Sequence, residues 1–111
     1  MSDNYTVDTT GNDEPVAADW RADLRDMLIE ARQIVESDRS GVYGRPMTNH
    51  ARIARLWRAW LGVQITPGDA AMMLLLVKIA RLMETPGHRD SVLDIIGYAL
   101  CYRDCERGGD E

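Results

Sequence analysis

A stretch of eight consecutive apolar residues, 70–77, limits the possible folds of this chain more than any other feature. It follows the sequence TPGD at 66–69, a typical helix start in which a hydroxyl caps free backbone N–H groups and proline takes the first helical position. A helix that is apolar all round is normally enclosed by others. The stretch is far shorter than the ~20 residues that span a bilayer. We therefore expect a soluble all-α domain with this helix, which ends near Glu84, at its centre.

Three amphipathic helices are predicted around it, because apolar residues recur every three or four positions in the flanking segments. The first begins at Asp19 and ends before the loop of residues 37–49, which contains glycine and proline. The second has Asn49 as its expected N-cap and ends at Gly62, and the last runs from about His88 to Cys105. Four helices with short connections predict a compact bundle of four main helices around the central apolar helix.

The composition of the two ends of the chain predicts the bounds of the domain. The charge, the cysteines and the N-terminal segment predict where the protein is located. Residues 1–17 are polar and acidic, so we expect a disordered acidic tail, a helical domain over residues 18–106 and a frayed end over residues 107–111. The net charge of −5 disfavours duplex nucleic acid as a partner. The two cysteines lie four residues apart on one predicted helix, a poor geometry for a disulfide. With no signal-like N-terminal segment, these features predict a cytoplasmic protein without a membrane span.

Two aspartates and a glycine share one strip of the last predicted helix, namely Asp90, Asp94 and Gly97. Paired carboxylates suit Mg²⁺, which is held by oxygen ligands together with the phosphates of its substrate. Glycine inside a helix costs about 1 kcal/mol relative to alanine, so Gly97 needs a reason such as the close approach of a ligand or another helix. The alternative is structural: Asp90 favours the positive end of its helix, and Asp94 is solvated or pairs with arginine.

Lys78 and Arg81 are the only charged residues within 70–83. A cation in so apolar a helix must reach the surface, pair with a carboxylate or meet an anionic ligand. The short connection to the last helix brings both cations towards Asp90 and Asp94. The resulting cluster fits a phosphate site as well as it fits a structural lock.

The first helix adds two further acids. Glu30 flanks its apolar stripe, and Asp38 falls at its end, where a negative charge opposes the helix dipole unless the carboxylate is simply solvated. His50 and His88 are lone histidines beside helix starts and are interpreted as structural. The candidate site therefore has Asp90 and Asp94 as catalytic residues, with metal ligands Glu30, Asp38, Asp90 and Asp94 and substrate-binding cations Lys78, Arg81 and Arg39.

Several motifs, in order along the chain, resemble an uncharacterised domain family that is common in bacteriophages. They are EARQIVESDR (30–39), VYGRP (42–46), IARLW (53–57), DAAMMLLLVKIARL (69–82) and HRDSVLDIIGYA (88–99). That family is similar to the MazG-like all-α nucleoside triphosphate pyrophosphohydrolases, which use Mg²⁺ to split NTPs or dNTPs into the monophosphate and pyrophosphate. The segment DSVLD resembles the ExxD helix of those enzymes with one extra residue, whereas their EExxE helix has no counterpart here.

The resemblance implies a phage-encoded, Mg²⁺-dependent nucleotide pyrophosphohydrolase that acts in the host cytoplasm, with Asp90 and Asp94 as the residues carried over. The alternative hypothesis is a non-catalytic helical module that binds a nucleotide or a protein of host or phage, with a purely structural charge cluster. Either protein could form a homo-oligomer. Metal-dependent release of pyrophosphate distinguishes the two hypotheses.

Overall fold

In the described part of the chain, all regular secondary structure is helical. The computed structural model describes residues 13–39 and 45–107, with side chains described for 19–36 and 45–107. The elements are α1 (Asp13–Gln33), which continues into a π-helical turn (Ile34–Arg39), α2 (Pro46–Leu61), α3 (Pro67–Glu84) and α4 (Arg89–Arg107). The predicted all-α class is confirmed. None of the helices described has the combination of length and apolar character that crossing a membrane requires.

The start of α3 is fixed by its own sequence. The side chain of Thr66 accepts a hydrogen bond from the backbone N–H of Asp69, and the Asp69 carboxylate accepts one from the backbone N–H of Thr66, both at 3.0 Å. Gly62 ends α2 in the left-handed conformation, at φ 74°, which glycine adopts without steric cost. The predicted start of α3 and end of α2 are confirmed.

Two helices begin earlier than predicted. α1 begins at Asp13 rather than Asp19, and acidic residues and proline are favourable in a first helical turn. α2 begins at Pro46 rather than Asn49, with Arg45 at the N-cap position and no capping side chain of its own. Of the tails expected over residues 1–17 and 107–111, residues 13–17 and 107 belong to helices, and residues 1–12 and 108–111 lie outside the described residues.

The helix that contacts all the others is α4, not α3. α1, the π turn, α2 and α3 each pack against it. Buried small side chains, Ser91, Cys101 and Cys105, allow its neighbours to come close. Ion pairs also connect α4 to α1 through Glu30 and Arg89, to α3 through Lys78 and Asp94, and to the start of α2 through Arg45 and Asp104.

The expected enclosure of the apolar helix is not confirmed in the single chain. Ala70 and Ala71 are fully buried, but Met72, Leu76 and Val77 are exposed. The physical reason is that α3 packs against α2 and α4, and no other described element covers its outer face. An apolar circumference therefore did not place this helix at the centre of the monomer.

Two small clusters form the core. Met27, Ala31 and Leu93 pack between α1 and α4. The second cluster joins α2, the connection after it and α3 through Ala54, Ile65 and Ala70. Between α1 and α2, on the surface of α4, lies the cleft that contains the candidate site.

Candidate functional site

The cleft is formed by α1, the π turn, the start of α2 and one face of α4. About 500 Å³ of empty space lies between these elements when it is counted out through the open mouth to solvent. Aliphatic groups such as Ile34, Val35 and Leu93 form much of the wall. Its polar groups are Asn49, His50, Asp94 and Tyr98. A mostly apolar wall with a few convergent polar groups is the usual make-up of a binding site for a small organic ligand.

Gly97 lies in the wall of the cleft, in the middle of α4. A Cβ at this position would meet only the Cγ2 atom of Val35, at 3.9 Å, which is ordinary van der Waals contact. Helix packing therefore does not require glycine here, although glycine destabilises a helix by about 1 kcal/mol relative to alanine. Of the two reasons considered for Gly97, the structure favours space for a ligand over close approach of a helix.

Gly68 is the contrasting case. A Cβ there would collide with the Glu106 side chain and lie 3.4 Å from Tyr102. This glycine allows the start of α3 to approach the end of α4 closely. Its role is packing.

His50 is only 3% exposed and lies in the cleft wall. Its Nδ1 lies 2.8 Å from the carbonyl oxygen of Pro46, so Nδ1 carries the proton and donates to that oxygen. In the neutral ring Nε2 is then an acceptor, and among the described residues it is buried without a hydrogen-bond partner. Buried polar atoms in this state are uncommon and ask for an explanation. A hydrogen-bond donor on a ligand would provide one.

Tyr98 stands next to His50 and helps to hold its ring. The two rings meet edge to face, with centroids 6.3 Å apart and planes at 83°. Such an arrangement fits the quadrupoles of aromatic rings. The polar end of the cleft therefore has one imidazole in a defined orientation.

The wall opposite α2 includes a rare element. The last part of the first helix is a π-helical turn over Ile34–Arg39, and two of its side chains, Ile34 and Val35, line the cleft. π-helical segments are uncommon and occur frequently at functional sites. The sequence analysis expected only the end of a regular helix here.

Of the predicted acids whose side chains the structure describes, Asp94 alone lines the cleft, and it pairs with Lys78 at 3.0 Å. The expected approach of Lys78 to Asp94 is confirmed. Asp90 is exposed at the start of α4, and Arg81 is exposed on α3. Asp90 and Arg81 are not among the lining residues of the cleft.

Glu30 is engaged elsewhere. Its carboxylate accepts a hydrogen bond of 2.9 Å from Arg89, and this bond raises the pKa of Arg89 above its ordinary value. The side chains of Asp38 and Arg39 lie outside the described residues.

The described residues do not form a ready Mg²⁺ site. Within this part of the chain no group of three or more His, Cys, Asp or Glu side chains is placed to hold a metal ion. Two of the candidate ligands, Glu30 and Asp94, are each neutralised by a cation. The predicted metal set therefore lacks support from the geometry, although Asp38 is not described.

Sequence reasoning did not predict that Asn49, His50 and Tyr98 line the cleft. The interpretation of His50 as structural rested on placing the helix start at Asn49. Proline is common at the first position of a helix, and with Pro46 in that position Asn49 and His50 fall inside the helix, one turn further on. Pro46 was therefore the available signal.

Most of the residues described above also lie in the part of the chain that matches known proteins. Residues 26–106 match a family described as a domain of unknown function, DUF6378. The Gene 55 protein of Mycobacterium phage L5 is 49% identical over 74 residues, covering 66% of this chain and 47% of that protein. The Gene 55 protein of Mycobacterium phage D29 is 40% identical over 75 residues, covering 68% of this chain and 50% of that protein. No solved structure matches the chain.

The chain thus spans about half the length of these phage relatives. The matched region contains the whole cleft and the three ion pairs of α4 described above. The likeness to the MazG-like enzymes stays a prediction, whereas the expected phage-type family is confirmed. Since the match extends over most of the sequence, the chain belongs to the DUF6378 domain family, and it has relatives in mycobacteriophages.

Proposed function

We propose that this protein is a helical module that binds a nucleotide, with the base in the cleft on α4. The observation that carries the proposal is the Nε2 atom of His50, which is buried in the cleft wall and has no hydrogen-bond partner among the described residues. An exocyclic amino group or ring N–H of a base would satisfy this acceptor. The amide of Asn49 can both donate and accept, as the edge of a base requires. The aliphatic walls suit the two faces of a planar ring.

Lys78 supports the assignment of the ligand class. Its ammonium group lies 3.0 Å from the carboxylate of Asp94, which lines the cleft, and the side chains of the pair are 24% and 33% exposed. A partly exposed ion pair is worth little, about 0–1 kcal/mol. A phosphate can therefore compete with Asp94 for Lys78 at small cost. Arg39 follows Ile34 and Val35, the two residues of the π turn that line the cleft, in the sequence. It remains a predicted second phosphate contact.

The positions of the described acidic side chains favour nucleotide binding without hydrolysis. A pyrophosphohydrolase needs several carboxylates that converge on Mg²⁺, whereas Glu30 and Asp94 contact different partners, Arg89 and Lys78, and within the described part of the chain no group of three or more acidic, His or Cys side chains is placed to hold a metal ion. Hydrolysis of NTPs or dNTPs remains a prediction that rests on the resemblance to the MazG-like enzymes.

The binding proposal is tested by filling the cleft. Gly97→Leu places a branched side chain in the space beside Val35, whereas Ala99→Leu adds the same side chain at an exposed position of α4. A ligand that binds only the native state raises the melting temperature. With a panel of nucleosides, NTPs and dNTPs, we expect a thermal shift for the wild type and for Ala99→Leu, and none for Gly97→Leu.

The same experiment can overturn the proposal. A wild-type protein without a thermal shift for any member of the panel contradicts nucleotide binding. An equal shift for Gly97→Leu, with helix content unchanged by circular dichroism, would place the ligand outside the cleft.

Hydrolysis is tested with Asp94→Asn. If the cleft only binds, the wild type releases no pyrophosphate in the presence of Mg²⁺, and the variant binds NTP at least as tightly because Lys78 has lost its partner. The loss of stability should be about 1 kcal/mol, as for a partly exposed pair, and not the 3 to 5 kcal/mol of a buried one. Mg²⁺-dependent pyrophosphate release by the wild type that disappears in a stable Asp94→Asn protein would instead establish the hydrolase.

A further inference from the structure

The outer face of α3 carries a continuous apolar stripe. Met72, Leu76, Ile79 and Met83 follow each other at intervals of four, three and four residues, so they lie along one side of the helix. All four are exposed, from 37% for Met72 to 80% for Met83. Helices that pair along their length show this spacing. The stripe lies on the helix that the sequence analysis expected at the centre of the core.

The exposed apolar surface continues onto α2. Ile53 and Met73 both pack against the cluster of Ala54, Ile65 and Ala70. Three and seven residues after Ile53, on the same side of α2, come Leu56 and Trp60, which are 70% and 85% exposed. Leu76 follows Met73 by three residues in the same way. The stripe of α3 and the pair on α2 therefore border the same cluster and form one face of the α2–α3 hairpin.

We propose that this hairpin face binds the same face of a second copy of the chain, so that two α2–α3 hairpins form a four-helix interface. The four side chains of the stripe are uncharged, so two stripes can pack together without bringing like charges into contact within them. A self-complementary patch of this kind is what a symmetric dimer requires. The partner is therefore a second copy and not a charged or hydrophilic protein.

The size of the face is consistent with a stable dimer. Monomeric proteins seldom expose a contiguous apolar patch above a few hundred Å². An aromatic side chain such as Trp60 alone contributes up to roughly 200 Å², and five further large side chains accompany it. Together they approach the ~800 Å² per partner of a standard interface. Pairing would also enclose α3, which its apolar circumference demands.

The test measures the oligomeric state of the full chain by sedimentation velocity over a range of concentrations. The variant is Leu76→Glu, in the middle of the stripe. The matched control is Leu28→Glu on α1, since Leu28 and Leu76 are 59% and 57% exposed. We expect a dimer for the wild type and for Leu28→Glu. Leu76→Glu, which would bury one carboxylate per copy, should raise the dimer dissociation constant by at least about a hundredfold.

Three results would overturn the proposal: a wild type that is monomeric at all concentrations, a dimer that survives Leu76→Glu, or a dimer that Leu28→Glu disrupts. Circular dichroism of Leu76→Glu must show an unchanged helix content, because its side chain is exposed in the monomer. A second stripe variant, Ile79→Glu, repeats the test one turn along. The proposal does not depend on nucleotide binding, since no residue of α3 lines the cleft and Lys78, the α3 residue assigned to the phosphate, pairs with Asp94 of α4 and is not part of the stripe.

Discussion

The carboxylate of Asp104 joins two parts of the fold that are far apart in sequence. Arg45 donates to it through Nε and through Nη2, the latter at 2.7 Å, and the backbone N–H of Met47 donates at 2.9 Å. Met47 is the second residue of α2, where backbone N–H groups have no partner within the helix. Asp104 of α4 therefore does for α2 what a local N-cap residue does elsewhere. This contact also explains why α2 begins at Pro46 without a capping side chain of its own.

The pH dependence of stability follows from the same contact. The hydrogen bond from Arg45 holds the pKa of Asp104 below its ordinary value in the folded protein. Its contribution is therefore complete above the unfolded pKa of about 4, and it is lost as the pH falls through the folded pKa. Asp104→Asn should cost about 1 to 3 kcal/mol at pH 7.

Urea unfolding at pH 7 and at successively lower pH checks this prediction. The difference between Asp104→Asn and the wild type should shrink as the pH falls. Asp26→Asn, an exposed aspartate of α1, serves as the control and should change stability by less than about 0.5 kcal/mol. A difference that stays constant with pH would mean that the charge of Asp104 contributes nothing.

At the scale of the element, α3 shows a helix start that local sequence decides completely. The reciprocal bonds of Thr66 and Asp69 involve only neighbouring residues. Thr66→Ala removes one acceptor and should lower the free energy of unfolding by about 1 kcal/mol, whereas Thr66→Ser keeps the hydroxyl and should preserve stability. Urea denaturation of both variants measures this. An equal loss in both would assign the effect to the methyl group of Thr66 and not to the cap.

For the whole molecule, the arrangement of the helices follows from α4. Apart from Met27, Ile65 and Leu93, the buried apolar residues are alanines and cysteines, so the core of the single chain is small. Part of its organisation comes instead from the ion pairs that reach α4 from three sides, each of which is partly exposed. Partly exposed ion pairs add little stability. A second copy on the α2–α3 face would supply the large apolar contacts that the monomer leaves open.

The sequence by itself determined the helical class, the end of α2, the start of α3, and the contact between Lys78 and Asp94. These depend on local periodicity, on capping groups within four residues and on a short connection between neighbouring helices. Tertiary structure decided which helix is central, where α2 begins and where the cleft lies. Asp104 caps α2 across 57 residues, and His50 acquires its unpaired nitrogen only from its surroundings. The sequence of an apolar helix shows how much apolar surface must be buried. Whether the same chain or a second copy buries that surface depends on which neighbours pack against the helix.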